Sequence, residues 1–76
     1  MGGETHAGVR SILLNGQSKE VVAMTLAELL DELGHERARK GIALALNGEV
    51  VPRGRWAETL LTNGDTVEIV GAVQGG

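Results

Sequence analysis

The residue types that carry most protein chemistry are scarce in this chain. None of its 76 residues is a cysteine, so it offers no thiolate nucleophile, no disulfide framework and no Cys-based zinc site. His6 and His35 lie far apart in the sequence, and solvated surface histidines explain them better than metal ligation. Glu28, Glu32 and Glu36 recur every four residues, which on a helix makes a wet face rather than an acid/base pair. The three Asn-Gly pairs, at Asn15-Gly16, Asn47-Gly48 and Asn63-Gly64, are turn formers, and no P-loop lysine follows them. What remains is the end of the chain, Gly75-Gly76. A terminal carboxylate is ionised at neutral pH, and a glycine without Cβ can thread a narrow channel and leave its carbonyl open to attack. A free carboxylate is a poor acyl donor because its leaving group would be an oxide. Joined to AMP it gains a good leaving group, and a sulfur nucleophile or an enzyme thiol then meets no side-chain obstruction. Gly-Gly by itself is a weak signal: with 12 glycines in 76 residues, chance places such a pair at the end of about one chain in forty. Its weight depends on what holds it.

The totals narrow the class of protein. A chain of this length buries about 60% of its unfolded surface and makes one domain with one modest core. With no Phe, no Tyr and the single Trp56, that core is aliphatic. An enclosed catalytic cleft is not expected at this size. The formal charge is −3 with acids and bases dispersed, so there is neither a basic footprint nor an aromatic platform for nucleic acid. No apolar run approaches the ~20 residues that span a bilayer. An apolar signal core is missing from the start of the chain, and the cytoplasm is the expected compartment.

Several elements must position that end. Residues 1–8 contain two early glycines and no periodicity and are expected to be a leader outside the fold, native or added. Val9 to Leu14 is aliphatic and runs into Asn15-Gly16, the pair favoured where a hairpin turn needs positive φ twice; Gln17 to Ala23 returns as the second strand. Thr25 stands three residues before Glu28, the spacing of a capping box. Leu26, Leu29, Leu30 and Leu33 then share one helical face, and Gly34 occupies the position of a left-handed helix end. Ile42 to Leu46 and Glu49 to Val51, joined by Asn47-Gly48, predict two short strands, stopped by Pro52. Arg55 to Leu61 predicts a helical turn carrying Trp56 and Leu60 inward. After Asn63-Gly64-Asp65, Thr66 to Val70 predicts a last strand with Val67 and Ile69 buried.

A hairpin, one helix, short strands and a last strand make an α+β two-layer domain, with a mixed sheet of four to five strands and the helix on one face. The helix crossover places the last strand parallel to the first and central. The domain is thus expected over residues 9–71 and a flexible tail over 72–76. Taken from Gly71, the six residues to the end reach about 20 Å if extended at ~3.3 Å each. Gly76 is then the group to be modified, with Gly75, Gln74, Val73 and Ala72 forming the segment a partner would recognise. If Val67 and Ile69 face the helix, Val70 lies on the open sheet face with Leu13 beside it, a candidate apolar docking patch. Arg53 and Arg55 read best as solvated arginines.

From Ile12 to Gly76 the chain resembles the ThiS family of sulfur carriers. The resemblance rests on Ile12-Leu13-Leu14-Asn15, Leu29-Leu30, Ala43-Leu44-Ala45-Leu46-Asn47, Val50-Val51-Pro52-Arg53, Trp56, Asn63-Gly64-Asp65 and Gly75-Gly76, specific as a set. It implies the ubiquitin-like β-grasp fold and a carrier that is not itself an enzyme and binds no cofactor. It implies a ThiF-like adenylyltransferase that consumes ATP to adenylate Gly76, and a cysteine desulfurase or other donor whose sulfur yields a thiocarboxylate. Thiazole synthase, ThiG, would take that sulfur into the thiazole of thiamin. Residues 1 to about 10 depart from the family pattern. Two alternatives share the terminal chemistry: a sulfur carrier like the small subunit of molybdopterin synthase, and a ubiquitin-like modifier joined to lysines.

Overall fold

The computed structural model describes residues 8–35 and 41–71. The chain forms β1 (Arg10–Leu14), β2 (Gln17–Val21), α1 (Leu26–Glu32), β3 (Ile42–Leu46), β4 (Glu49–Val51), a 3-10 helix (Arg53–Glu58) and β5 (Thr66–Gly71). One five-stranded sheet has the order β2-β1-β5-β3-β4, so the last strand is central. It runs parallel to β1, with Leu13 opposite Thr66 and Leu14 opposite Val67. Its other neighbour, β3, is antiparallel, with Leu44 opposite Ile69.

Both tight hairpins use the expected chemistry. Asn15 and Gly16 sit at φ 50° and 84°, and Asn47 and Gly48 at 51° and 89°, the double left-handed geometry of a two-residue turn. In α1 the Thr25 hydroxyl accepts from the Glu28 N–H at 3.1 Å. The reciprocal half of the box is displaced by one residue, because the Glu28 carboxylate accepts from the Met24 N–H at 2.9 Å rather than from Thr25. Leu33 closes the helix and Gly34 follows at φ 87°.

One sheet face carries the core. Leu26, Leu29 and Leu30 of α1 are fully buried against Ile12, Val21, Leu44 and Val67, with Trp56 and Leu61 closing the rim. Side chains alternate across a strand, so Val67 and Ile69 face α1 while Glu68 and Val70 face away. Trp56 plugs the core as expected; its indole Nε1–H donates to the Val51 carbonyl at 2.8 Å, and the Arg53 guanidinium lies 4.6 Å from its ring centroid. Arg53 therefore packs on the indole.

Leu60 corrects the sequence expectation. It is 65% exposed, and Leu61 takes the buried place. The 3-10 helix ends at Glu58, and the chain beyond is extended, bridging Leu60 to Thr25 and donating from the Leu61 N–H to the Met24 carbonyl at 2.9 Å. Extended backbone turns successive side chains to opposite sides, so only one of Leu60 and Leu61 can enter the core.

The glutamate row also differs from a plain wet face. Glu32 accepts from the Val22 N–H at 3.0 Å and the Ala23 N–H at 2.8 Å, tying the β2–α1 loop to the helix. Glu28 ties the same loop at Met24, so both carboxylates satisfy loop donors that have no ladder partner. Glu36 lies outside the described residues.

Candidate functional site

The site begins where β5 leaves the sheet. Hydrogen bonds fix the two edges of this strand residue by residue. Toward β1, the Asp65 carbonyl accepts from the Leu13 N–H and the Val67 carbonyl from the Asn15 N–H, each at 2.9 Å. Toward β3, the Thr66 carbonyl accepts from the Asn47 N–H at 2.7 Å, and the Thr66 N–H donates to the Asn47 side chain at 2.9 Å. Odd residues of β5 thus address β1 and even residues address β3.

The next odd residue, Ile69, has no β1 backbone left to meet, because the hairpin has turned at Asn15-Gly16. The Asn15 side chain takes the place of a strand. Its Oδ1 accepts from the Ile69 N–H at 2.8 Å and its Nδ2 donates to the Ile69 carbonyl at 3.3 Å. A primary amide carries one acceptor and donors in the arrangement of a peptide group, so it caps the ladder on that side.

Asp65 fixes the other end of the strand. This carboxylate, 9% exposed, accepts from the Thr62 N–H at 2.8 Å, the Thr62 hydroxyl at 3.2 Å and the Asn47 amide at 3.1 Å. Asn63 adds a link to β1, its Oδ1 accepting from the Ser11 N–H at 2.8 Å. Three Asn side chains at turns therefore hold β5 in register, a role that turn propensity alone did not reveal.

The sheet face away from α1 is open. Strand alternation and pairing assign to it Ser11 and Leu13, Ser18 and Glu20, Ala43 and Ala45, Val50, and Thr66, Glu68 and Val70. Leu13 and Val70 share this face as expected, at 43% and 61% exposure. They are not side by side. Leu13 pairs with Thr66 and Val70 with Ala43, and four residues of strand separate the two positions by about 13 Å. The apolar surface around Val70 is built instead from Ala43, Ala45 and Val50, linked through the pairs Ala43–Val70 and Ala45–Val50. The sequence signal for it was the alternation Ile-Ala-Leu-Ala-Leu over β3, whose small residues all fall on one face. The charged residues of this face are Glu20 and Glu68.

The segment named from the sequence, Ala72, Val73, Gln74, Gly75 and Gly76, lies outside the described residues, as does His6. Among the described residues no cluster of His, Cys, Asp or Glu is arranged to hold a metal ion, and no helix is long and apolar enough to cross a membrane.

The ThiS family model matches residues 12–76. The chain belongs to the ThiS family. It is 38% identical over 66 residues to the sulfur carrier protein ThiS of Escherichia coli, covering 86% of this chain and 97% of that protein. The sulfur carrier protein ThiS of Thermus thermophilus matches at 38% over 65 residues, covering 86% of this chain and 98% of that protein. A thiazole synthase from Paramagnetospirillum magneticum matches at 38% over 66 residues, which make up 20% of that longer protein. Among solved structures, the crystal structure of the thiamine biosynthesis protein ThiS from Geobacter metallireducens superposes with a TM-score of 0.72 at 30% identity. The superposition covers 87% of this chain and 99% of that one. The Geobacter ThiS structure thus shares the β-grasp fold in which, among the described residues, α1 packs on the five-stranded sheet, and the family match runs through β5 to Gly76.

Proposed function

We propose that this ThiS-family chain is the sulfur carrier for thiazole formation in thiamin biosynthesis, and that Gly76 is its working residue. In this reading the chain is a co-substrate rather than an enzyme, holds no cofactor of its own, and acts in the cytoplasm. An oxygen of the Gly76 carboxylate attacks the α-phosphorus of ATP on a ThiF-like adenylyltransferase, and pyrophosphate leaves. Hydrosulfide, released from a persulfide by a two-electron thiol reductant where a cysteine desulfurase supplies the sulfur, then attacks the acyl carbon. AMP departs, a proton is released, and the thiocarboxylate remains. Thiazole synthase consumes that sulfur. The match to one fifth of a thiazole synthase supports a pairing of these two activities.

The observation that carries the proposal is the place of β5. It is the central strand of the sheet, held on both edges, and it is the element that leads directly into the Gly-Gly end. A rigid exit gives a partner a fixed origin from which to grip residues 72–76, so little orientational freedom remains to be lost when the carboxylate enters an active site. The open sheet face supplies docking area beside that exit, through Val70, Ala43, Ala45 and Val50, with Leu13 at its far end. Glu68 stands among these residues, so the complementary surface is apolar with a basic group placed opposite this carboxylate.

Pyrophosphate release by the adenylyltransferase tests the assignment. The full chain is expected to support ATP consumption, and a chain lacking Gly76, or extended by one residue, is expected to support none while unfolding at the same urea midpoint. ATP consumption by the truncated chain would make Gly76 the wrong residue.

A further inference from the structure

The structure assigns to Gly71 a part in partner recognition. We propose that the activating enzyme lays an extended segment of its own backbone alongside β5 and pairs it with the Gly71 peptide groups, so that its grip on the chain starts inside the sheet. This rests on the carrier reading above and concerns the same site.

Three observations converge on this residue. The first is the hydrogen-bond alternation of β5, in which residues 65, 67 and 69 address the β1 side; Gly71 is next in that series. Opposite Gly71 on the β3 side stands Ile42, in the class of antiparallel pair that exchanges no backbone bonds. The N–H and C=O of Gly71 therefore point to the side where Asn15 has already ended the ladder at Ile69, and among the described residues no strand lies there. An unpaired rung at the end of a paired strand is a template for strand addition.

The second observation is the residue itself. Glycine is a poor strand residue, losing more conformational freedom than any other and giving nothing to pack. Gly71 is not among the residues of positive φ, and a Cβ added to it would meet nothing within 4 Å. The isolated domain thus gains nothing from glycine here, whereas a second backbone approaching closely would.

The third is reach. Five residues, 72–76, separate Gly71 from the end, about 17 Å at ~3.3 Å per residue. Any enzyme that holds the terminal carboxylate while docking on the open face at Val70 must pass Gly71.

The test uses the full chain with its adenylyltransferase and ATP, reading kcat/KM by pyrophosphate release together with the urea midpoint. Gly71→Pro removes the free N–H but breaks no bond to β3, and it leaves Val70 in the extended region that a following proline favours. Its urea midpoint is expected to match the wild type and its kcat/KM to fall at least tenfold. Gly71→Ala, which keeps the N–H and fills only the close-approach space, is expected to fall less. Hydrogen exchange on the wild-type complex gives a second reading that does not depend on how the proline variant folds. The Gly71 amide is expected to exchange at least tenfold more slowly in the complex than in the free chain. A Gly71→Pro chain activated as well as wild type, or a Gly71 amide exchanging equally fast in both states, would overturn the inference. Failure of the wild-type chain itself to support ATP consumption would instead overturn the carrier reading.

Discussion

Replacing Asn15 separates the two tasks this residue performs. It holds a left-handed backbone position at φ 50°, and its amide caps Ile69 with one bond of 2.8 Å and one of 3.3 Å. Asn15→Gly keeps the backbone permissive and deletes only the amide. An intramolecular hydrogen bond contributes about 0.5–1.5 kcal/mol net, and these two are solvent-accessible with one of them long, so their loss should cost about 1–2 kcal/mol. Asn15→Ala deletes the same bonds and also places a Cβ at positive φ, adding about 1 kcal/mol. With a urea slope of about 1 kcal/mol/M for a domain of this size, the midpoint should fall by about 1–2 M for glycine and about 2–3 M for alanine. Equilibrium urea unfolding followed by far-ultraviolet circular dichroism measures both. If the glycine variant were no less stable than wild type, the amide would not be capping the ladder. If the alanine variant were the more stable of the two, the left-handed backbone would be wrongly assigned.

The two leucines Leu30 and Leu13 make a matched pair of opposite burial. Leu30→Ala, at a fully buried helix position, should lower stability by about 2–5 kcal/mol, whereas Leu13→Ala, 43% exposed on the open face, should cost less than about 1 kcal/mol by urea unfolding. Glu32→Ala removes the acceptor for the Val22 and Ala23 N–H groups; the expected loss is about 1–3 kcal/mol, with faster amide exchange at those two residues. Val70→Asp should leave the urea midpoint near wild type, because Val70 is exposed, yet reduce kcat/KM for adenylation at least tenfold by placing a second carboxylate beside Glu68 on the docking face. An unchanged kcat/KM would place the docking surface elsewhere.

Most of the fold was legible because local signals agreed with one another. The Asn-Gly pairs fixed two hairpins, the leucine spacing fixed α1 and its buried face, and the alternation of Thr66 to Val70 fixed which side of β5 is covered. Leu60 escaped because helical periodicity was carried past Glu58, where the chain becomes extended and buries Leu61 instead. The bonds made by Asn15, Asn47 and Glu32, and the one-residue displacement of the Glu28 bond, escaped for a different reason. They join residues whose neighbourhood exists only once the sheet and helix have packed, and side-chain types alone do not say which backbone groups are left without a ladder partner. Likewise the pairing of Val70 with Ala43 follows from strand register, so Val70 and Leu13 were assigned to the right face but their separation, and the alanines beside Val70, were not legible.

Intact-mass measurement of the full chain after incubation with its adenylyltransferase, ATP and a sulfur donor decides whether Gly76 carries sulfur. The chain is expected to gain the mass difference between one sulfur and one oxygen atom, located by fragmentation at Gly76, with no conjugates to lysine accumulating. An unchanged mass under conditions where the enzyme turns over ATP with this chain, or a ladder of lysine-linked products, would contradict it.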